Sequence, residues 1–282
     1  MVGRWGVCPV GLGGMPLSLP PRPEPREAEA LVRLAVDLGM NLIDTADVYC
    51  RDDDDIGHNE RLIAWALRDA GSDVLIATKG GLRRPGGDWV EDGRPSALRA
   101  ACEASLLALG VDRIALYQLH APDAEVPWED SVGELFRLRD EGKIEAVGLS
   151  NVSVDELDRA QALGPVVSVQ NRLHPLDLDS WDVVEACEAR GLAFLAYSPV
   201  GGSRQLAEVL RHPLLLEAGR VHGVGPGTVA LAWLLGLSPA IVVIPGASRE
   251  SSLRASVAAM DVRLDTGWVS RLDEAFGRRR SA

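Results

Sequence analysis

Short apolar runs alternate with amphipathic stretches along most of this chain, and that alternation restricts the fold more than any other feature. Runs of strand length stand at 41–44 (NLID), 74–79 (VLIATK), 114–120 (IALYQLH), 146–150 (AVGLS), 166–170 (VVSVQ), 192–197 (LAFLAY) and 241–245 (IVVIP). A weaker eighth run, 7–12, is interrupted by Pro9 and Gly11. Between them, 26–38, 59–69, 96–109, 128–141, 154–163, 180–190 and 228–237 carry apolar residues at helical spacing. In the first of these, Leu31, Leu34, Ala35 and Leu38 share one face. Gly39, Gly71, Gly110, Gly142, Gly164 and Gly191 each follow a helical stretch, where a left-handed cap favours glycine. Strands that alternate with helices through short links run parallel, because a parallel pair needs a crossover connection.

Eight such units in 282 residues, with no break in composition, predict one α/β domain over 1–282. The expected architecture is a (β/α)8 TIM barrel, which typically takes ~250 residues. Two additions to the plain repeat are expected. Residues 200–227, rich in Gly and Pro, read as a long loop after strand 7, and an extra helix is expected near the C-terminus. Residues 50–57, with Asp52–Asp55, read as a solvated acidic loop.

The formal net charge of -12 opposes binding to nucleic acid or to an acidic membrane surface. Arg278, Arg279 and Arg280 form the only basic run, expected as a solvated tail. No apolar stretch reaches the ~18 residues of a membrane span. Met1–Trp5 shows no apolar signal segment, and a cytoplasmic location is expected. The four cysteines, Cys8, Cys50, Cys102 and Cys187, form no CxxC pair or zinc spacing, so neither a disulfide frame nor a metal site is expected. Lysine occurs only at positions 79 and 143.

In a parallel barrel, chemistry gathers at the C-terminal ends of the strands. Asp44 ends the second run, Tyr49 lies five residues on, Lys79 ends the third and His120 the fourth. Taken singly, each has a plain alternative: Asp44 as a cap, Tyr49 as packing, Lys79 as surface, His120 as a satisfied hydrogen-bonding group. Together at neighbouring strand ends they form a proton-transfer site. Phenol has a pKa near 10, and an adjacent ammonium is expected to lower it. A carboxylate beside the lysine keeps it charged, and an imidazole orients a carbonyl oxygen. Trp89 and Trp128, in the loops after the third and fourth strands, are candidate pocket walls or ordinary packing.

The segments GLGGM, NLIDTADVY, ATKGG, LYQLHAPD, VGLSN, VQN, AYSPVGG and VVIPGAS, in order from Gly11 to Ala259, resemble the aldo-keto reductases. The resemblance implies a barrel holding an extended nicotinamide cofactor at its mouth, NADPH with NADH as the alternative. It implies that Asp44, Tyr49, Lys79 and His120 form the catalytic tetrad, with Tyr49 as general acid in reducing an aldehyde or ketone substrate. Ser150, Asn151 and Gln170 match the contacts of the nicotinamide carboxamide. Tyr197 matches the aromatic against which the ring stacks, and a core aromatic is its alternative. Ser198 and Gly201 belong to the loop crossing the pyrophosphate. Pro245, Gly246, Ser248 and Arg249 lead toward the adenosine. There the sequence departs from the family pattern: Ser252, Ala255 and Ser256 stand where an Arg and a Glu-Asn pair are common, leaving Arg249 and Arg254 as the nearby cations. Cys50 stands where glycine is expected after Tyr49. Competing readings are a redox-sensing, cofactor-binding regulatory subunit on the same fold, an alcohol dehydrogenase running oxidatively, and a hydrolase. The last needs paired catalytic acids, which the motifs do not supply.

Overall fold

The computed structural model describes residues 1–69 and 73–277. Eight parallel strands form the barrel: β1 (Leu12–Gly13), β2 (Leu42–Asp44), β3 (Leu75–Gly80), β4 (Ile114–Leu119), β5 (Ile144–Ser150), β6 (Val166–Arg172), β7 (Ala193–Tyr197) and β8 (Ile241–Ile244). They pair in chain order. The ring closes where Gly11 N donates to Val243 O at 2.9 Å and Gly13 N to Pro245 O at 3.0 Å. The broken first run thus shrinks to two strand residues, and Pro9 contributes through its carbonyl, which accepts from Val243 N. The crossovers are α1 (Pro25–Asp37), α2 (His58–Leu67), α3 (Pro95–Leu109), α4 (Trp128–Asp140), α5 (Val154–Leu163), α6 (Trp181–Arg190) and α9 (Pro226–Leu235).

The long loop expected after strand 7 is instead mostly helical. It holds α7 (Gly202–Arg211) and α8 (Pro213–His222). The glycines and proline that suggested a loop are helix punctuation. Gly201 precedes α7 in a left-handed conformation, Pro213 is the first residue of α8, and Gly223 closes it. Proline at a first helical turn loses no hydrogen bond. Past β8 come α10 (Glu250–Val257) and α11 (Thr266–Ala275), the latter being the expected extra helix. A short antiparallel hairpin, Leu82–Arg83 with Val90–Glu91, follows β3 and carries Trp89.

Gly39, Gly110, Gly142 and Gly191 have the expected positive φ. Gly164 does not: its φ is 170°, and a Cβ there would press on the Phe136 ring at 2.8 Å. Close packing, not backbone handedness, requires glycine at that helix end. Gly71 and the Arg278–Arg280 tail lie outside the described residues. Among the described residues, no helix is long and apolar enough to cross a membrane.

The apolar core has two parts. One fills the layer between strands and helices. The other fills the lower barrel interior with Leu42, Leu75, Leu116, Leu195, Val242 and Ile244. The N-terminus turns back through a Val2–Trp5 bridge and adds Val2 to this inner cluster.

Candidate active site

Period-two alternation along the strands carries polar side chains into the barrel above that inner cluster. On β2 the step from Leu42 leads to Asp44; on β3 the steps from Leu75 and Ala77 lead to Lys79. Gln118 stands opposite Lys79 in the β3–β4 register. Gly148 on β5 leaves room for it, since a Cβ there would meet Gln118 Cγ at 2.8 Å.

Lys79 Nζ lies 2.8 Å from each carboxylate oxygen of Asp44, 2.8 Å from the Thr45 carbonyl and 3.1 Å from the Tyr49 hydroxyl. Every partner can accept, which fits an ammonium. Gln170 Nε2 donates to Asp44 Oδ1 at 2.7 Å. Burial pushes Lys79 below the usual lysine range, and Asp44 pulls it back. Burial also pushes Tyr49 well above the usual phenol range, and Asp44 adds to the effect. The expected lowering of Tyr49 by the ammonium is therefore not what this arrangement gives, because burial penalises the phenolate and Asp44 offsets the lysine's charge at close range. Tyr49 stays a protonated phenol at neutral pH.

His120 follows β4 directly, and its backbone N–H donates to Gly80 O. Its ring lies edge-on to Tyr49, centroids 5.7 Å apart. Burial, then the charge of Lys79, holds it well below the usual imidazole range, so it is neutral. His120 Nδ1 is buried and has no partner among the described residues.

Trp89 completes an aromatic triangle at the mouth, 6.4 Å from Tyr49 and 6.3 Å from His120. Trp128 packs in the layer between strands and helices. It starts α4, is buried, and donates to Glu156 O. Sequence reasoning overlooked Arg84. Its guanidinium lies 4.0 Å over the Trp89 ring and donates through Nη2 to the carbonyls of Cys50 and Arg51. It thereby ties the hairpin to the loop that carries Tyr49. The signal available in the sequence was an arginine five residues before an aromatic in a loop after a barrel strand.

The acidic segment is only partly solvated. Asp53 and Asp54 are exposed, but Asp55 pairs with Arg22 at 2.7 Å and Asp53 Oδ2 accepts from Gly86 N. Cys50 Sγ donates to Val48 O and Asp52 O, and burial pushes the thiol up to about 11.

Along the other side of the mouth, Ser150 Oγ donates to Gln170 O at 2.7 Å, and Asn151 Nδ2 donates to His120 O at 2.9 Å. Tyr197 OH donates to Asn151 Oδ1 at 2.8 Å. A crevice of about 360 Å³ opens here, lined by Asn151, Ser153, Arg172 and Tyr197 among others. Asn151 and Ser198 hold φ of 59° and 50° without being glycine. Backbone strain of this kind concentrates where a site over-determines the chain. Positive φ at Ser198, Gly201 and Gly202 turns the chain into the N-terminus of α7, which has no side-chain cap. Its first N–H groups are suited to a phosphate.

Near the end of the ring, Gly13 pairs with Gly246, and Pro245 is buried beside exposed Gly246, Ser248 and Arg249. Arg249 precedes α10, whereas Arg254 is engaged by Glu250 at 2.8 Å. Ser256 Oγ bonds back to Ser252 O, and Ala255 O accepts from Thr228. Ser252 and Ser256 thus bond within the helix, whereas Arg254 and Glu250 pair on its exposed side and Arg249, also exposed, stands just before its first turn.

Comparison with known proteins gives one consistent result. A family model described as the aldo/keto reductase family matches residues 9–276. An uncharacterized oxidoreductase of Schizosaccharomyces pombe is 35% identical over 256 residues, covering 89% of this chain and 80% of the relative. A thermostable aldo-keto reductase solved with the inhibitor epalrestat is 28% identical, with a TM-score of 0.83 and 98% of both chains covered. An aldo-keto reductase of Klebsiella pneumoniae in complex with NADPH shares the fold at 22% identity, with a TM-score of 0.80, covering 98% of this chain and 93% of that one.

Proposed function

The chain belongs to the aldo/keto reductase family and is an NAD(P)H-dependent oxidoreductase; from that premise we propose that it reduces an aldehyde or ketone with Tyr49 as the proton donor and NADPH as the cofactor. The observation that carries this reading is the buried Asp44–Lys79 pair with the Tyr49 hydroxyl 3.1 Å from the ammonium.

The residues fit a nicotinamide dinucleotide by the chemistry of their donors. Ser150, Asn151 and Gln170 hold one another in place and keep acceptor capacity for a carboxamide. Tyr197 offers a ring face. Ser198, Gly201 and the first N–H groups of α7 offer donors for a pyrophosphate, Pro245, Gly246 and Ser248 border the adenosine side, and Arg249 offers a charge for a 2′-phosphate. When bound, this cofactor supplies the hydride.

The protein's own part is proton transfer. Neutral His120 orients the carbonyl oxygen toward the Tyr49 hydroxyl. Tyr49 transfers its phenolic proton to the developing alkoxide, and the resulting phenolate is stabilised by the Lys79 ammonium beside it. Asp44 keeps Lys79 charged and fixed. Trp89 and the aromatic edges around it exclude water, which strengthens these interactions. Because Tyr49 is protonated at rest, the site suits reduction better than oxidation. A regulatory role alone would not require this buried proton-transfer set.

The test is NADPH oxidation by the purified protein, screened over aldehydes, ketones and sugars. Turnover of at least one carbonyl class is expected. Tight NADPH binding with no turnover on any of them would contradict an enzymatic role.

A further inference from the structure

Behind the mouth, three buried carboxyl groups crowd one buried ammonium. Asp44, Asp47 and Glu60 are 3%, 4% and 0% exposed, and Lys79 is 0% exposed. The N–H groups of Lys79 are taken by Asp44, the Thr45 carbonyl and Tyr49. None is left for Asp47 or Glu60.

These two lie just across the sheet from the catalytic set. Thr78 precedes Lys79 on β3 and therefore faces the helix layer. Its hydroxyl donates to Glu60 Oε1 at 2.6 Å. Tyr117 is the register partner of Thr78 and shares that face. Gly80 makes room for it, since a Cβ there would collide with the Tyr117 hydroxyl. Asp47 Oδ1 accepts from Val48 N at 2.7 Å, and Asp47 N donates to Lys79 O at 3.5 Å. Tyr117 OH is buried with no hydrogen-bond partner among the described residues, and the Ser105 hydroxyl acts on Glu60 from α3.

Two carboxyl groups buried near one ammonium that has no N–H left for either cannot both ionise cheaply, and one retained proton relieves them. Burial and their mutual repulsion push Asp47 well above the usual carboxylate range, and burial pushes Glu60 up against the pull of the Thr78 and Ser105 hydroxyls. The charged and titratable groups around the pair are Asp44 on β2, Tyr49 and Cys50 after it, Arg61 on α2, Lys79 on β3, Cys102 on α3 and Tyr117 on β4.

We propose that Asp47 and Glu60 retain one proton between them behind Lys79, and act through Lys79 as positioning residues that set how tightly Tyr49 holds its own proton. The inference rests on the reading of Tyr49 as proton donor. With the pair singly protonated, the cluster of Asp44, Asp47, Glu60 and Lys79 carries one net negative charge, which holds the proton on Tyr49. Removing that charge releases it.

The chain has three tyrosines, 49, 117 and 197, so phenolate absorbance can be assigned by subtraction. The full-length protein without cofactor is titrated beside Tyr49→Phe, and the Asp47→Asn/Glu60→Gln variant beside the same variant carrying Tyr49→Phe. The Tyr49 component is expected to move down by about one pH unit or more in the neutralised variant, the scale of a unit charge removed at short range in a partly dry site. A component that stays within about 0.3 unit overturns the proposal. The alkaline limb of kcat should move by the same amount with KM unchanged, a result that a purely structural role would not give.

Infrared spectroscopy of the parent supplies a test that survives a poorly folding variant. A carboxylic-acid C=O band should persist at neutral pH, weaken in either single variant and remain in Tyr49→Phe. Its absence from the parent overturns the proposal. Neither spectroscopic result needs a substrate. An inactive parent would therefore sink the proposed function alone, and an active parent with an unmoved Tyr49 titration would sink this inference alone.

Discussion

The floor and the mouth of the barrel are built from the same strands, yet they solve opposite problems. At the floor, the inward positions are Leu42, Leu75, Leu116, Ala193, Leu195 and Val242, capped from below by Val2 and Trp5. One or two steps further along the same strands, the inward positions are Asp44, Lys79, Gln118, Ser150 and Gln170, all buried. The floor gains from removing apolar area from water. The mouth loses hydration and is held by hydrogen bonds converging on Asp44 and Lys79. The lesson is that burial alone does not mark a core. What separates the halves is whether a buried side chain has a partner it cannot replace.

Lys79→Met should break the comparison most severely. It leaves Asp44 buried and unpaired, which typically costs about 3–5 kcal/mol in stability. It should also lower turnover by ~10²–10⁴-fold, the usual scale of positioned proton transfer. Lys79→Arg should recover some stability, read by thermal unfolding, but not the turnover, because a planar fork does not replace a point charge. Full activity in the arginine variant would contradict the geometry described here.

At the floor the same kind of truncation should be silent in chemistry. Leu116→Ala should cost about 2–5 kcal/mol in urea unfolding, while kcat per folded molecule stays unchanged. A large fall in kcat would mean that floor and mouth are mechanically coupled.

Two smaller effects sharpen the picture. Arg249→Ala should weaken NADPH about tenfold and leave NADH nearly untouched, as a single charge-assisted phosphate contact predicts. Equal losses for both cofactors would remove Arg249 from the 2′-phosphate. For His120, folding depresses the pKa, chiefly by burial. Its contribution to stability is therefore complete above the unfolded value of 6.5 and is lost as pH falls below it. His120→Gln should flatten that part of the stability–pH curve by at most one proton of slope.

The repeat pattern made the barrel legible because apolar runs and glycine caps are local signals. Residues 200–227 misled because Pro213, Gly201 and Gly223 punctuate helices as readily as they mark loops. Asp44, Tyr49, Lys79 and His120 were readable as ionisable residues at strand ends or just past them. Arg84, Asp47 and Glu60 were not. Arg84 matters by touching Trp89 and the Cys50 carbonyl, more than thirty residues away in the latter case. Asp47 and Glu60 matter through burial, which composition does not reveal. Nor does spacing tell which charge dominates at Tyr49; only the geometry does, by setting Asp44 against the lysine.

The central claim is that the mouth is a proton-transfer site in which Tyr49 is the donor. It is tested most directly by comparing Tyr49→Phe with the parent on the best carbonyl substrate, with NADPH affinity measured in parallel by fluorescence. Turnover should fall by ~10²–10⁴-fold while the NADPH dissociation constant holds, because phenylalanine keeps the ring against Trp89 and His120 and removes only the hydroxyl. Turnover within about threefold of the parent, far inside the usual range for a lost general acid, would contradict the account.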